Sequence, residues 1–285
     1  MSSERFLEVS SELARAIAGS ALWHRGRCNW TGATGDDRTE AALGPHLYDG
    51  TSGVALFLAE AAARSGDDRV RAAALGAIRH ALRDAPAGED GLYTGPIGIA
   101  YAAARVGGLL EAEEAFGGAR DLLRAWRRDR TPSPECDLIG GRAGTVAGLV
   151  TLAPLLDDRR LVEAASALGD ELIACAEVSD SGWSWPAPGR RSMHNLCGFA
   201  HGAAGIGHAL VELYGATGEE RYRRAGEGAF AYGRSWARPA GGSWPDLRGV
   251  GRATGRDAPV PLSPSWCHGA PGIALALTRA ARVLR

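Results

Sequence analysis

Cysteine and histidine side chains late in this chain could bind a metal ion. Cys267 and His268 are adjacent, and thiolate and neutral imidazole are the ligands that zinc prefers. A catalytic zinc also keeps one coordination position open for a substrate. Asp137 and His201 are two further polar candidates, but Asp137 equally fits a helix cap and His201 a buried, hydrogen-bonded histidine. The residue types therefore predict a metal site and leave these two roles open.

All of these residues share a position in an internal repeat. Five times a pair of glycines three residues apart opens an apolar, alanine-rich run, and successive pairs are 45, 46, 61 and 67 residues apart. Such spacing indicates a repeat architecture. The pairs are Gly50 and Gly53, Gly95 and Gly98, Gly141 and Gly144, Gly202 and Gly205, and Gly269 and Gly272. The residues just before them are Asp49, Thr94, Cys136 with Asp137, His201, and Cys267 with His268.

The segments that must position these residues read as two kinds of helix. The runs at 54–63, 99–110 and 206–215 are apolar on most sides, which is typical of buried helices. The stretches at 68–84 and 219–237 carry their charges on one side, which predicts outer amphipathic helices. Alternation of the two predicts stacked helical hairpins. We expect the inner helix starts to converge on one face, where the positive end of each helix favours thiolates and carboxylates.

Composition favours one all-α domain over residues 1–285. The chain is 45% hydrophobic and 23% charged, with a formal net charge of −1. That balance does not favour nucleic-acid binding. Gly/Pro-rich segments at 181–192 and 239–265 are expected to be long loops, and no apolar run approaches the roughly 20 residues of a membrane span. Five widely spaced cysteines suit reduced thiols, so we expect a cytoplasmic protein.

Four motifs resemble successive repeats of the LanC-like lanthionine synthetase cyclases. They are GLYTGPIGIAYA, CDLIGGRAG, GFAHGAAGIGHAL and SWCHGAPGIALAL, and the resemblance runs from LYDGTSGVALFL to the last residue. It implies an α/α toroid of seven helical hairpins around a central zinc. The implied substrate is a leader-bearing precursor peptide whose serines and threonines a dehydratase partner has dehydrated. The zinc would activate a peptide cysteine, whose thiolate adds to dehydroalanine or dehydrobutyrine; protonation of the enolate then closes a thioether ring.

The resemblance also implies residue roles. Cys267 matches the first zinc ligand of the family. His201 matches the histidine that protonates the enolate or relays the proton, and Asp137 matches the carboxylate that assists in handling the cysteine proton.

The sequence departs from the family pattern after Cys267. The other two zinc ligands of the family lie in a CHG motif one repeat further on, followed by a seventh repeat, whereas this chain ends at Arg285 after the fifth inner helix. We therefore expect a C-terminally short domain and an incomplete ring of five recognisable repeats. Ser263 also replaces an arginine of some members. Two alternatives remain for Cys197. It could complete a zinc-binding set with Cys267 and His268, or it could be a small buried apolar residue with no role in metal binding.

An incomplete ring would expose the inner-helix faces around 99–106 and 273–284. A homodimer or a separately encoded C-terminal fragment would then cover them.

Three functional hypotheses stay open. The first is a zinc-dependent cyclase. The second is a catalytically inactive module, or half of a split cyclase, that only binds the peptide. The third is an α/α-toroid glycoside-processing enzyme, which needs two facing carboxylates. Asp49 and Asp137 would be its candidates, but it leaves the cysteine and histidine motifs unexplained.

Overall fold

The structure, a computed structural model, is mainly helical and divides into two compact units. It describes residues 3–34, 39–86, 88–187, 194–238, 242–249, 262 and 264–285. The first unit comprises Met1–Glu89 and Tyr93–Thr131, and the second Asp90–Leu92 and Pro132–Arg285. Parts of both predicted long loops and Ser263 lie outside the described residues.

The first unit holds two helical hairpins, an N-terminal helix and two small β-hairpins. Helices α2 and α3 form one hairpin, and α4 and α5 form the other, with α2 packed on α4. The bounds are α1 Ser3–Gly19, β1 Leu22–His24, β2 Arg27–Asn29, β3 Thr31–Thr34, β4 Thr39–Ala42, α2 Thr51–Ser65, α3 Asp68–Arg83, α4 Pro96–Leu110 and α5 Glu113–Asp129.

The second unit repeats the pattern. Helices α6 and α7 pair, α8 and α9 pair, and α8 packs between α6 and α10. A 3-10 turn, Leu247–Gly249, lies in the loop before α10. The bounds are α6 Arg142–Leu156, α7 Arg160–Ala174, β5 Glu177–Ser179, β6 Gly182–Ser184, α8 Ala203–Thr217, α9 Glu220–Ser235 and α10 Ala270–Val283.

The inner helices are α2, α4, α6, α8 and α10, and each begins directly after the first glycine of a pair. In α4, eleven of fifteen residues are buried, including neighbours all round the helix. The outer helix α5 instead buries only the stripe of Ala115, Ala119, Leu123 and Trp126. This spacing of four, four and three residues is one face of an α-helix. The predicted alternation of buried and amphipathic helices is confirmed.

Two details of the hairpins were not predicted from the sequence. The first four inner helices are each followed by a residue in the left-handed conformation, and two of these, Glu111 and Asp157, are not glycine. Three two-stranded antiparallel sheets also lie between helices in the described part of the chain, although the sequence predicted none. The second strand of one of them, β6, lies at the start of the predicted loop at 181–192.

The expected exposure of inner-helix faces is wrong for one of the two segments. Residues 99–106 are buried apart from the half-buried Tyr101 and Arg105, because α2, α3 and α5 pack around α4 within the first unit. In α10, Leu275 is 63% exposed. Within the described residues, no helix is both long enough and apolar enough to cross a membrane.

Candidate active site

The loops that precede the inner helices fold back over the helix starts. A helix begins with backbone N–H groups that have no partner inside the helix. In α6, the N–H of Arg142 donates to the carbonyl of Glu135 at 3.1 Å, and in α8 the N–H of Ala203 donates to Leu196 at 2.8 Å. No side chain caps either helix. Carbonyl groups of the preceding loop therefore take the place of a polar cap.

This folding back explains the second glycine of the pairs that open α6, α8 and α10. A Cβ atom at Gly144, Gly205 or Gly272 would lie 2.1, 1.9 or 1.8 Å from a loop carbonyl oxygen. Any side chain there would overlap the backbone. The glycine spacing is thus a requirement for space at the helix start.

Neighbouring loops of the second unit are hydrogen-bonded to each other. The N–H of Leu138 donates to the carbonyl of Ala200 at 3.1 Å, and the N–H of Ala200 donates to that of Cys267 at 2.9 Å. These bonds align the loops before α6, α8 and α10 side by side. They bring together Asp137, His201 and the Cys267–His268 pair.

Asp137 and His201 are in direct contact. The Nδ1 atom of His201 lies 2.5 Å from Oδ2 of Asp137, and the side chains are only 21% and 10% exposed. The other carboxylate oxygen, Oδ1, accepts a hydrogen bond from the N–H of Gly140 at 2.9 Å. When the imidazole is neutral, its proton on Nδ1 donates to Asp137, so the lone pair is on Nε2. The carboxylate therefore fixes both the tautomer and the ring orientation.

His268 stacks on this histidine. The ring centroids of His201 and His268 are 5.8 Å apart and their planes differ by 21°. His268 is 6% exposed. The thiol of Cys267 is half-buried and donates to the hydroxyl of Ser265 at 3.3 Å. Acid–base and nucleophilic groups thus share one location.

Residues 41–285 match the family described as lanthionine synthetase C-like protein. The chain belongs to this family. Among solved structures, "Nisin cyclase" shares its fold with a TM-score of 0.66 and 17% sequence identity, and the match covers 99% of this chain and 71% of that one. No curated protein matches the chain. The predicted family and the predicted fold class, all-α helical hairpins of the α/α toroid type, are confirmed.

Two charged residues beside the site of this LanC-like protein were not found from its sequence. Arg248 binds Asp246 through two parallel hydrogen bonds, from Nε to Oδ1 at 3.0 Å and from Nη2 to Oδ2 at 2.6 Å. These bonds lower the pKa of Asp246, and the nearby His268 lowers it further, against the effect of burial. Cys267 in turn contributes to raising the pKa of Arg248. No motif marks the pair, which is separated by one residue in an irregular loop.

The remaining sequence candidates are Cys136, Asp49 and Thr94. Cys136 is buried and contacts Arg142 on α6. Asp49 and Thr94 belong to the first unit, so the carboxylate pair Asp49 and Asp137 of the glycoside-processing hypothesis is not assembled within either unit.

The donor set does not make up a complete zinc site. Among the described residues, no group of three or more His, Cys, Asp and Glu side chains could hold a metal ion. The shell of Cys267, His268 and Cys197 is therefore not formed: Cys197 is buried 3.7 Å from the carbonyl of Pro245, and burial raises its pKa to about 12. Catalytic zinc sites use three protein ligands. Cys267 and His268 supply two at most, and their role as ligands stays a prediction.

Proposed function

We propose that this LanC-like protein closes thioether rings in a dehydrated precursor peptide. The S–H group of a peptide cysteine adds across the double bond of a dehydroalanine or dehydrobutyrine, so that sulfur bonds to the β-carbon and hydrogen to the α-carbon. The observation that carries the proposal is the Asp137–His201 contact. The two residues belong to two of the motifs that resemble the cyclase family, CDLIGGRAG and GFAHGAAGIGHAL.

His201 moves the proton in this proposal. Its Nε2 atom accepts the proton of the peptide thiol, because Asp137 holds the other nitrogen. The imidazolium that forms is stabilised by the Asp137 carboxylate, whose second oxygen stays fixed by the N–H of Gly140. Nε2 then returns the proton to the α-carbon of the enolate. Asp137 orients and stabilises the histidine and takes no proton itself.

In this proposal the Asp246–Arg248 pair helps to bind the peptide substrate. The Asp246–Arg248 pair lies next to Cys267 and His268, and the Arg248 side chain is 48% exposed. Its guanidinium is a hydrogen-bond donor for carbonyl groups of an extended peptide. Dehydration is the work of a separate dehydratase, and the leader of the precursor is the second binding determinant. Both partners act in the cytoplasm, a compartment that suits a chain whose five cysteines are all free thiols in the structure.

The zinc requirement implied by the resemblance is tested separately. Elemental analysis of the purified protein should find about one zinc per chain if Cys267 ligates the metal. The Cys267→Ala variant should then contain none, whereas His201→Ala should retain it. Zinc at the same level in both variants would contradict the role of Cys267.

Ring closure itself is measured with a synthetic peptide that contains one dehydroalanine and one cysteine. Cyclisation leaves the mass unchanged but consumes the thiol, so alkylation followed by mass spectrometry separates ring from linear peptide. In D₂O the product gains one non-exchangeable deuterium at the α-carbon. Wild-type protein should accelerate thiol loss, and His201→Ala should slow it by about 10²- to 10⁴-fold.

The second candidate function is a peptide-binding module without catalysis. It is favoured because the residues that the structure describes form no group of three side chains that could hold a metal ion. It predicts that wild-type protein binds a fluorescent dehydrated peptide and leaves its thiol-loss rate at the background value. Binding together with rapid thiol loss would eliminate it.

A further inference from the structure

Two cysteines outside the candidate active site share one arginine. The Nη1 atom of Arg142 donates to Sγ of Cys136 at 3.5 Å and to Sγ of Cys175 at 3.7 Å. Cys136 lies in the loop before α6, and Cys175 directly follows the last residue of α7. Since α6 and α7 are antiparallel partners in one hairpin, the end of α7 returns to the start of α6. Residues 39 positions apart in sequence thus become neighbours.

The two thiols differ in exposure. Cys175 is exposed and Cys136 is buried. Burial, together with the neighbouring Cys175 and against the effect of the Arg142 guanidinium, raises the pKa of Cys136 to about 11. Glu171 is ion-paired with the same guanidinium at 3.0 Å, which holds the arginine against both sulfurs. An exposed thiol beside a fixed cation and a buried second thiol is the arrangement of an attacking and a resolving cysteine.

We propose that Cys136 and Cys175 are a reversible disulfide-forming pair that exchanges with small disulfides such as glutathione disulfide. The Cys175 thiolate attacks one sulfur of the small disulfide and releases one equivalent of thiol. Cys136 then loses its proton and attacks Sγ of Cys175, which forms the protein disulfide and releases the second equivalent. Two protein thiols are oxidised and one small disulfide is reduced to two thiols, which carry away the two protons.

The bond would join two functional parts of the second unit. Cys136 immediately precedes Asp137, so the disulfide would tether the loop that holds the carboxylate against His201 to the end of α7. The proposal for Cys136 and Cys175 is argued from the contacts of these two residues and does not depend on the proposed cyclase activity.

The test uses the full-length wild-type protein. After incubation with glutathione disulfide and removal of the reagent, denaturation in the presence of N-ethylmaleimide should label two fewer than the five cysteines. Trypsin should then release residues 131–142 linked to residues 161–190, each of which contains one of the two cysteines. Dithiothreitol should separate the linked peptides and restore all labels.

Matched variants identify the pair. Cys175→Ser should abolish the linked peptide, whereas Cys28→Ser, which removes a buried thiol of the first unit, should leave it intact. The inference is overturned if both peptides are recovered singly with maleimide on each cysteine. It is equally overturned if Cys175 carries only a glutathione adduct that Cys136 never displaces.

Discussion

Replacing Gly205 by alanine should disrupt the start of α8 through a backbone overlap. The added Cβ would lie 1.9 Å from the carbonyl oxygen of Phe199 and 3.2 Å from Cβ of Leu138. The Phe199 carbonyl cannot swing away independently. Its neighbour Ala200 donates to Cys267 and accepts from Leu138, which fixes this part of the loop on both sides.

The size of the effect follows from that overlap. An unstrained carbon–oxygen contact is about 3.3 Å, so the loop or the helix start must move by roughly 1.4 Å. Overpacking of this kind typically costs 1–3 kcal/mol, and we expect Gly205→Ala to lower the free energy of unfolding by about 2–3 kcal/mol. For a chain of this size the melting temperature should fall by roughly 3–5 °C.

A matched substitution controls for helix propensity. Gly117 lies inside α5, and nothing is within 4 Å of a Cβ built there. Gly117→Ala should therefore stabilise the protein by about 0.5–1 kcal/mol. Both variants are compared with wild type by circular dichroism during urea and thermal unfolding. If Gly205→Ala is as stable as wild type, or gains as much as Gly117→Ala, the explanation of the glycine pairs is wrong.

Two further predictions concern buried polar groups. Burial lowers the pKa of His208, against the effect of Glu212. The histidine of the unfolded chain has a pKa of about 6.5, so it takes up a proton at a higher pH than the histidine of the folded chain. The free energy of unfolding should therefore fall as the pH decreases below about 6.5. The His208→Gln variant should show a shallower fall in urea midpoint between about pH 7 and pH 5, and an unchanged slope would count against this. Thr145→Val should cost about 1–3 kcal/mol, because Oγ1 of Thr145 accepts the buried Gly91 N–H at 2.7 Å. Thr151→Val is the control, because the Thr151 hydroxyl donates within its own helix. Its free energy of unfolding should differ from that of wild type by less than about 0.5 kcal/mol. Equal destabilisation by Thr145→Val and Thr151→Val would refute the role of Thr145.

Much of the helical framework could be predicted from the sequence, since glycine spacing and apolar periodicity are local signals. Each inner helix begins where the glycine pair predicts. The left-handed residues Glu111 and Asp157 were not predicted, because glutamate rarely adopts that conformation and aspartate more often adopts others. The β-hairpins were missed because their strands, of three or four residues, are too short to show alternation.

The candidate site was predicted in part. Position in the repeat placed Asp137 and His201 at helix starts, but their contact across 64 residues depends on hydrogen bonds between loops. Asp246, Arg248 and the proximity of Cys136 to Cys175 follow only from the folded chain. None of these residues belongs to a spacing pattern that points to its partner.

The most direct test of the account is a double-variant measurement of ring closure. If Asp137 acts only through His201, then His201→Ala and the double variant with Asp137→Asn should be equally slow, to within about twofold, while Asp137→Asn alone should lie between them and wild type. Circular dichroism confirms that all four proteins are folded. A double variant whose loss equals the product of the two single losses would contradict the proposed proton-transfer pair.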